Sequence, residues 1–316
     1  MKILGLSFGR KNKNCDILVK EALIKAGESG AQVRFINTMD LNIGHCKGCG
    51  VCSTLRDKGM QVKCILKDDY LSLEEELLNA DGIILAAPVY SIASCGQLKN
   101  FIDRFGAAHD RAAVLAEQEK RIRAGSKELI DPRVLSNKYV AYISVGGAKT
   151  KHWVSMGLPN MYMFGMSTVM KTVGQLNVYD MGRIANPVLS PELISSVGGL
   201  GSHLAESIGK PYDQVEWYGE GGICPVCHNS ILTMGSTTKA ECPLCGIKGR
   251  IIIEGEKLYV EFDEAEKKRA RNTFAGLKEH HKELQEMMEV LLPKLEANKK
   301  KLPKELMRYT EFKSTF

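Results

Sequence analysis

Apolar positions come first along this chain. KILGLS, residues 2–7, is apolar through its centre and gives way to a polar, glycine-bearing stretch, FGRKNKN. An amphipathic run, CDILVKEALIKAGESG, follows and closes on glycine. A short apolar segment bounded by turn residues predicts a buried strand, and apolar residues three and four apart predict a helix. AQVRFINT then alternates enough for a second strand. Strand, loop, helix, strand is a βαβ unit, which implies a parallel sheet.

The pattern repeats downstream. A cysteine-bearing loop, 44–67, leads to DDYLSLEEELLNA, a predicted helix whose acidic start suits the positive end of a helix dipole. DGIILAAPVY predicts a third strand, expected to stop at Pro88, and GQLKNFIDRF a helix from Gly96 to Phe105. KYVAYISVGG predicts a fourth strand ending in paired glycines, and TVGQLNVYDM a fifth. Five strands alternating with helices make an α/β, doubly wound five-stranded parallel sheet, whose ligand site lies beyond the carboxyl ends of the strands. The charged stretch 107–137 contains Pro132 and lacks a strand pattern. It is expected to be an insertion, partly helical, that reaches over the active-site edge or a partner subunit. The chain divides into a main domain, 1–212, a small cysteine-containing module, 219–262, and a C-terminal helix and tail, 263–316.

Composition adds limits. At 316 residues one generous core plus an appendage is expected, and 44% hydrophobic with 25% charged residues is globular, neither disordered nor fibrous. No stretch approaches the roughly 20 apolar residues of a membrane span, and the start offers a strand where a signal peptide needs a longer apolar run. A cytoplasmic protein is expected. The net charge is +6, and half of it comes from residues 263–316, where 13 Lys and Arg face 10 Asp and Glu. That distribution fits a charged helical face and argues against nucleic-acid binding. Ten cysteines in a reducing compartment suggest metal ligands or reactive thiols; eight fall into two clusters, leaving Cys15 and Cys95 outside.

The loop Ser7-Phe8-Gly9-Arg10-Lys11-Asn12-Lys13-Asn14-Cys15 joins the first strand to the first helix. A helix amino terminus offers free N–H donors and a positive dipole end, so the loop suits a phosphate, with Arg10 adding charge. An ordinary polar turn is the alternative. Residues 1–105 resemble the NADPH-dependent FMN reductase branch of the flavodoxin-like superfamily. The landmarks are S-x-x-R-x-N-x-N, C-x-x-C-x-x-C, Lys67-Asp68-Asp69, Ala80-Asp81-Gly82-Ile83-Ile84, Pro88-Val89-Tyr90 and Leu98-Lys99-Asn100-Phe101-Ile102-Asp103-Arg104. The resemblance implies a flavodoxin-like fold with FMN. It implies that Ser7, Arg10, Asn12, Asn14 and Cys15 wrap the phosphate, and that Pro88, Val89, Tyr90 and Ser91 lie against the isoalloxazine. Ser144, Gly146 and Gly147 fall near the ring's polar edge. Cys15 departs from the family's usual Ser or Thr and supplies only a weak thiol donor.

Cys46, Cys49 and Cys52 stand in C-x-x-C-x-x-C spacing, with Cys64 further on. Such spacing wraps three thiolates round one face of a cubane, and a more distant cysteine can close the fourth corner. The segment resembles the iron-sulfur flavoproteins, which implies a [4Fe-4S] cluster near FMN; a zinc site or free thiols are the alternatives. In that family the fourth cysteine usually follows sooner than Cys64 does. Cys224-Pro-Val-Cys227 and Cys242-Pro-Leu-Cys245 are two knuckles whose four thiolates suit one tetrahedral ion. The module resembles a zinc ribbon, with GRIIIEGEKLYVEF as its hairpin. Zinc is expected, with rubredoxin-like iron as the alternative and His228 as a turn residue.

In the tail, Phe274, Leu277, His281, Leu284, Met288, Leu291 and Leu295 recur at steps of three and four, a seam for packing on another helix, with Pro293 expected to end or kink it. A homodimer or homotetramer is expected. The functional expectation is an FMN-dependent oxidoreductase or electron-transfer flavoprotein, with NAD(P)H or ferredoxin as donor and an unidentified acceptor. The alternative is a redox-responsive flavin-binding protein that contacts a macromolecule through its zinc ribbon. Trp153, Met156, Met161, Tyr162, Met163, Phe164 and Met166 are expected to shape a substrate pocket or a dimer core.

Overall fold

The computed structural model describes residues 1–313. Its strands are β1 (Lys2–Ser7), β2 (Gln32–Asn37), β3 (Gly82–Tyr90), β4 (Ala93–Ser94), β5 (Tyr139–Val145), β6 (Lys171–Val178), β7 (Thr233–Met234), β8 (Lys239–Glu241), β9 (Lys248–Glu254) and β10 (Lys257–Phe262). Its helices are α1 (Asn14–Glu28), α2 (Val51–Asp57), α3 (Tyr70–Leu78), α4 (Gly96–Ala108), α5 (Arg111–Arg123), α6 (Pro132–Leu135), α7 (Gly157–Met166), α8 (Pro191–Ser207), α9 (Glu264–Lys268), α10 (Phe274–Ala297) and α11 (Leu302–Thr310).

The main sheet has the order β2-β1-β3-β5-β6, all parallel, with β4 added antiparallel to the end of β3. This is the flavodoxin-like doubly wound order, and the direction of winding reverses between β1 and β3. There the chain leaves neighbouring strands to opposite sides, so a crevice opens beyond their carboxyl ends. The strands are apolar on both faces because both are covered. On one side α1 and α8 enclose Ile3, Val19, Ile84, Ile143 and Leu200; on the other α3, α4 and α7 enclose Leu6, Leu85, Phe101, Tyr142 and Phe164. Each fully buried side chain of this size contributes about 1.5–3 kcal/mol. Gly201 lets α1 and α8 touch backbone to backbone, since a Cβ there would lie 1.9 Å from the Ala22 carbonyl oxygen.

The C-terminal module forms its own antiparallel sheet, β10-β9-β8-β7. Its four cysteines nevertheless belong to the same core as α4 and α7. Hydrophobic contact is therefore continuous from the main sheet to the module, whose expected boundaries at 219 and 262 mark a change of topology within one packed body.

Two expectations need correction. Pro88 does not stop β3: it pairs with Val145, its carbonyl accepts from Cys95 N–H, and the strand runs on to Tyr90. The tail is three helices rather than one. The stretch 107–137 is partly helical, forming α5 and α6, and α5 reaches the cysteine loop, where Arg121 donates to the Met60 carbonyl at 3.1 Å. In α10, which continues past Pro293 to Ala297, Leu284, Met288, Leu291 and Leu295 of the expected seam are exposed while Leu277 is buried.

Candidate functional site

Residues 8–13 leave β1 and enter α1 at the switch point. No side chain caps α1, so its first-turn N–H groups face the crevice uncapped. The loop is shaped from beneath by Asp16, which is buried. Its carboxylate accepts from the Ser7 hydroxyl at 2.5 Å, the Asn12 N–H at 2.6 Å and the Asn37 amide at 2.6 Å. Asn37 also donates to the Gly9 carbonyl at 3.1 Å, and Asn12 holds a left-handed φ of +54°. Uncapped amides at a rigid helix start are the donor set that a phosphate monoester takes.

The second wall is the β3–β4 hairpin. Tyr90 pairs with Ala93 across a two-residue turn, Ser91-Ile92, both at positive φ. Tight hairpins favour this turn, but Gly and Asn normally occupy it. An isoleucine at φ +76° stores strain of about 1–3 kcal/mol. Tyr90 and Ile92 are exposed, as are Trp153 and Met156, and Met156 N–H donates to the Ile92 carbonyl. The third wall is the loop after β5, tied to the end of β6 by Gly146 N–H to the Val178 carbonyl and Met181 N–H to the Gly146 carbonyl.

The expected residues divide accordingly. Arg10, Asn12, Tyr90, Ser91 and Gly147 are exposed, and Pro88, Val89 and Asn14 half-buried. Asn14 donates its side-chain amide to the Met181 carbonyl, which joins the first and third walls. Ser7, Ser144 and Gly146 are buried; Ser144 Oγ faces the start of α7 with no partner among the described residues. The Cys15 thiol is buried against Gly9, and burial, with Cys95 and Asp16 near, pushes it up to about 12. Cys15 can therefore serve the crevice through its backbone, not its sulfur. Met161, Tyr162 and Phe164 are core residues of this chain, Tyr162 also lining a cavity of about 590 Å³ with Val154, Leu158 and His228; Trp153 and Met156 of the expected pocket set are exposed.

Cys46, Cys49, Cys52 and Cys64 line one cavity of about 40 Å³, walled also by Ile65, Leu66, Ala107 and Ala108. The residues between Cys52 and Cys64 fold into α2 and a turn, which returns Cys64 to the other three. Long spacing is thus no obstacle to its joining them. Arg104, on α4, is buried here. It forms a two-point ion pair with Asp68 at 2.5 and 2.9 Å and donates to the Gly44 carbonyl at 3.1 Å and to Cys64 Sγ at 3.3 Å. The guanidinium holds the Asp68 carboxyl below the usual carboxylate range. Asp68 in turn accepts the Gly44 N–H, so α4 and the Lys67-Asp68-Asp69 segment close the neck of the cysteine loop. Asp16, Asn37 and Arg104 were not foreseen as site residues. Arg104 stood in a quoted landmark, yet its target lies 40 residues away.

The second cluster is tighter. The Sγ atoms of Cys224, Cys227, Cys242 and Cys245 all lie within 4.8 Å of one another, and all four residues are buried. Both knuckles close alike: His228 N–H donates to Cys224 carbonyl and Gly246 N–H to Cys242 carbonyl, with His228 and Gly246 at φ +53° and +70°. His228 is thus a turn residue, stacked on Trp217 at 3.7 Å. One tetrahedral ion with bonds of about 2.3 Å would space four sulfurs about 3.8 Å apart. The donor set fits such an ion. The first cluster has no such compact set among the described residues, and a cubane spreads its thiolates wider than a single ion does.

Comparison with known proteins agrees with this geometry. The chain is 26% identical over 301 residues to a flavone synthase, CfoJ, of Aspergillus candidus, covering 90% of this chain and 89% of that one. It is 37% identical over 105 residues to an iron-sulfur flavoprotein of Methanocaldococcus jannaschii, covering 33% of this chain and 51% of that one. A solved flavone reductase superposes with a TM-score of 0.82 at 27% identity, covering 100% of this chain and 99% of that one. No helix among the described residues is long and apolar enough to cross a membrane. A family model for NADPH-dependent FMN reductases matches residues 1–178, over half of the chain, and the protein accordingly belongs to the NADPH-dependent FMN reductase family.

Proposed function

We propose that this flavoprotein is an FMN-dependent oxidoreductase that takes electrons from NAD(P)H or reduced ferredoxin and delivers them to a planar aromatic acceptor of the flavone class. The carrying observation is the uncapped start of α1, held by Asp16 at the switch point and faced by the β3–β4 hairpin. In this reading Ser7, Arg10, Asn12, Asn14 and the backbone of Cys15 cradle the FMN phosphate. Pro88, Val89, Tyr90 and Ser91 lie along the ring, and Gly146 and Gly147 approach its polar edge, with Ser144 beneath them. Bound FMN supplies hydride and single-electron chemistry. Exposed Tyr90, Ile92, Trp153 and Met156 give an aromatic acceptor an apolar surface to stack on. The flavone class is supported by the two full-length relatives that carry flavone in their names.

Cys46, Cys49, Cys52 and Cys64 would hold a [4Fe-4S] cluster, which would supply one-electron transfer; that all four line one cavity supports the reading. Cys224, Cys227, Cys242 and Cys245 would hold zinc in a closed, structural site. The exposed apolar residues of α10 support self-association through that helix. Anaerobically purified protein should contain FMN, iron, sulfide and one zinc, and should oxidise NAD(P)H or reduced ferredoxin when a flavone is added. Protein that neither carries nor binds FMN refutes the reading; turnover with simple quinones but none with flavones refutes the acceptor class alone.

A further inference from the structure

We infer that Arg104 is the positioning residue that sets the reduction potential of the cluster at Cys46, Cys49, Cys52 and Cys64; the inference rests on the cluster reading above. Its side chain is 1% exposed, and among the described residues it is the only side-chain cation hydrogen-bonded to any of these sulfurs. The cavity beside it is small and its other walls are largely apolar, with Lys47 and Asp103 the other charged residues that line it; Arg104 itself is buried, which strengthens its hydrogen bond to Cys64. A reduced cluster carries one more negative charge. Hydrogen bonds to the sulfurs and local charge are two of the levers that set cluster potentials, and both act here in the direction that favours reduction.

The guanidinium is not free to turn away. Asp68 grips it at two points, the Gly44 carbonyl at a third, and its Cζ lies 4.2 Å from the Tyr70 ring centre. Asp68 also cancels part of its charge, which gives the two residues opposite effects. Gln97, Asn100 and Arg104 recur at steps of three and four along α4, and donate in turn to the carbonyls of Thr38, Ile43 and Gly44. Because α4 begins directly after the β3–β4 hairpin, the helix that presents Arg104 to Cys64 also fixes the cysteine loop relative to the crevice.

The test is an anaerobic redox titration with dithionite, followed by electron paramagnetic resonance, on wild type, Arg104→Gln, Arg104→Lys and Asp68→Asn, each assayed first for iron and sulfide. Arg104→Gln should lower the midpoint so that the reduced-to-oxidised ratio at fixed poise falls at least tenfold, about 59 mV for one electron. Arg104→Lys, which keeps the charge but loses the fork, should lower it less, and Asp68→Asn should raise it. If Arg104→Gln does not load iron, the opposite signs of the other two variants decide the matter. Loaded variants with unchanged midpoints, or Lys and Asn variants that shift in the same direction, overturn the assignment of Arg104 alone. Wild type without iron and sulfide overturns the cluster reading and this inference together.

Discussion

Replacing Asp16 by alanine tests the architecture of the crevice most directly. The substitution removes one buried carboxylate and strands three donors: the Ser7 hydroxyl, the Asn12 N–H and the Asn37 amide. The hydroxyl can turn to another acceptor, and Asn37 keeps its bond to the Gly9 carbonyl. Hydrogen bonds to a carboxylate contribute about 1.5–3 kcal/mol each, so losing those from the Asn12 N–H and from the Asn37 amide to Asp16 should cost about 3 kcal/mol or more. For a domain of this size that corresponds to a fall in Tm of roughly 6–12 °C, at about 2–4 °C per kcal/mol. Asn12 would also lose the contact that holds its left-handed turn, so FMN affinity should weaken by tenfold or more, equivalent to about 1.4 kcal/mol. Scanning calorimetry of flavin-free protein and titration by quenching of FMN fluorescence measure the two effects separately. A variant that melts within two or so degrees of wild type and binds FMN equally well would refute the idea that Asp16 organises the loop.

Gly201→Ala should destabilise by at least about 1–3 kcal/mol in urea unfolding, because the new methyl group meets the Ala22 carbonyl and must force α1 and α8 apart. Ile92→Gly should do the reverse, raising flavin-free stability by about 1 kcal/mol as the strained φ is relieved, while weakening binding of a planar aromatic that stacks on the hairpin. The Cys15 thiol, pushed up to about 12 by burial, should resist iodoacetamide at pH 9.0 in the folded protein, where exposed Cys46 and Cys49 of metal-free protein are alkylated; mass spectrometry reads the sites. Below 9.0 that thiol is protonated folded or unfolded, whereas above it only the unfolded chain ionises, so this group's effect is a loss of stability as pH rises from 9.0 toward 12. If the four-cysteine module holds zinc as proposed, a strong zinc chelator should expose 219–262 to protease while the main sheet stays intact, as mapped by limited proteolysis.

What sequence reading reached and what it missed divide along the range of the interactions. The five parallel strands and their helices were legible because each is written in local periodicity, and the doubly wound order they imply puts the reversal of winding between β1 and β3. Proline ordinarily ends a central strand, but Pro88 falls at the last pair of the β3–β5 ladder, where the chain is already turning into the hairpin. The run of aromatics and methionines after Trp153 shows a different limit. Apolar residues at helical spacing do not say which face meets the chain's own core, and α7 buries Met161, Tyr162 and Phe164 against its own sheet and the module. Asp16 was invisible as a functional residue because an aspartate in a helix's first turn has an ordinary explanation in the helix dipole, and only the fold brings Asn37 to it from 21 residues away.

The two cysteine sites show the same division within one kind of chemistry. Each knuckle of the C-terminal site is closed by its own backbone, Cys224 to His228 and Cys242 to Gly246, so five residues of sequence suffice to specify a half-site, and two half-sites bring four sulfurs within 4.8 Å of one another. The first loop has no such local closure. Its fourth cysteine returns only because α2 folds the intervening chain back on itself, and its neck is held by Asp68 and Arg104, which lie 24 residues from Gly44 and 40 from Cys64. A donor set can therefore be read from spacing, but the charge and hydrogen bonds that set what such a site does with an electron are assembled by tertiary structure. An electron-transfer site depends on that surrounding shell more than a structural one does, because its potential shifts with every nearby charge, whereas a closed tetrathiolate needs only its four sulfurs in place.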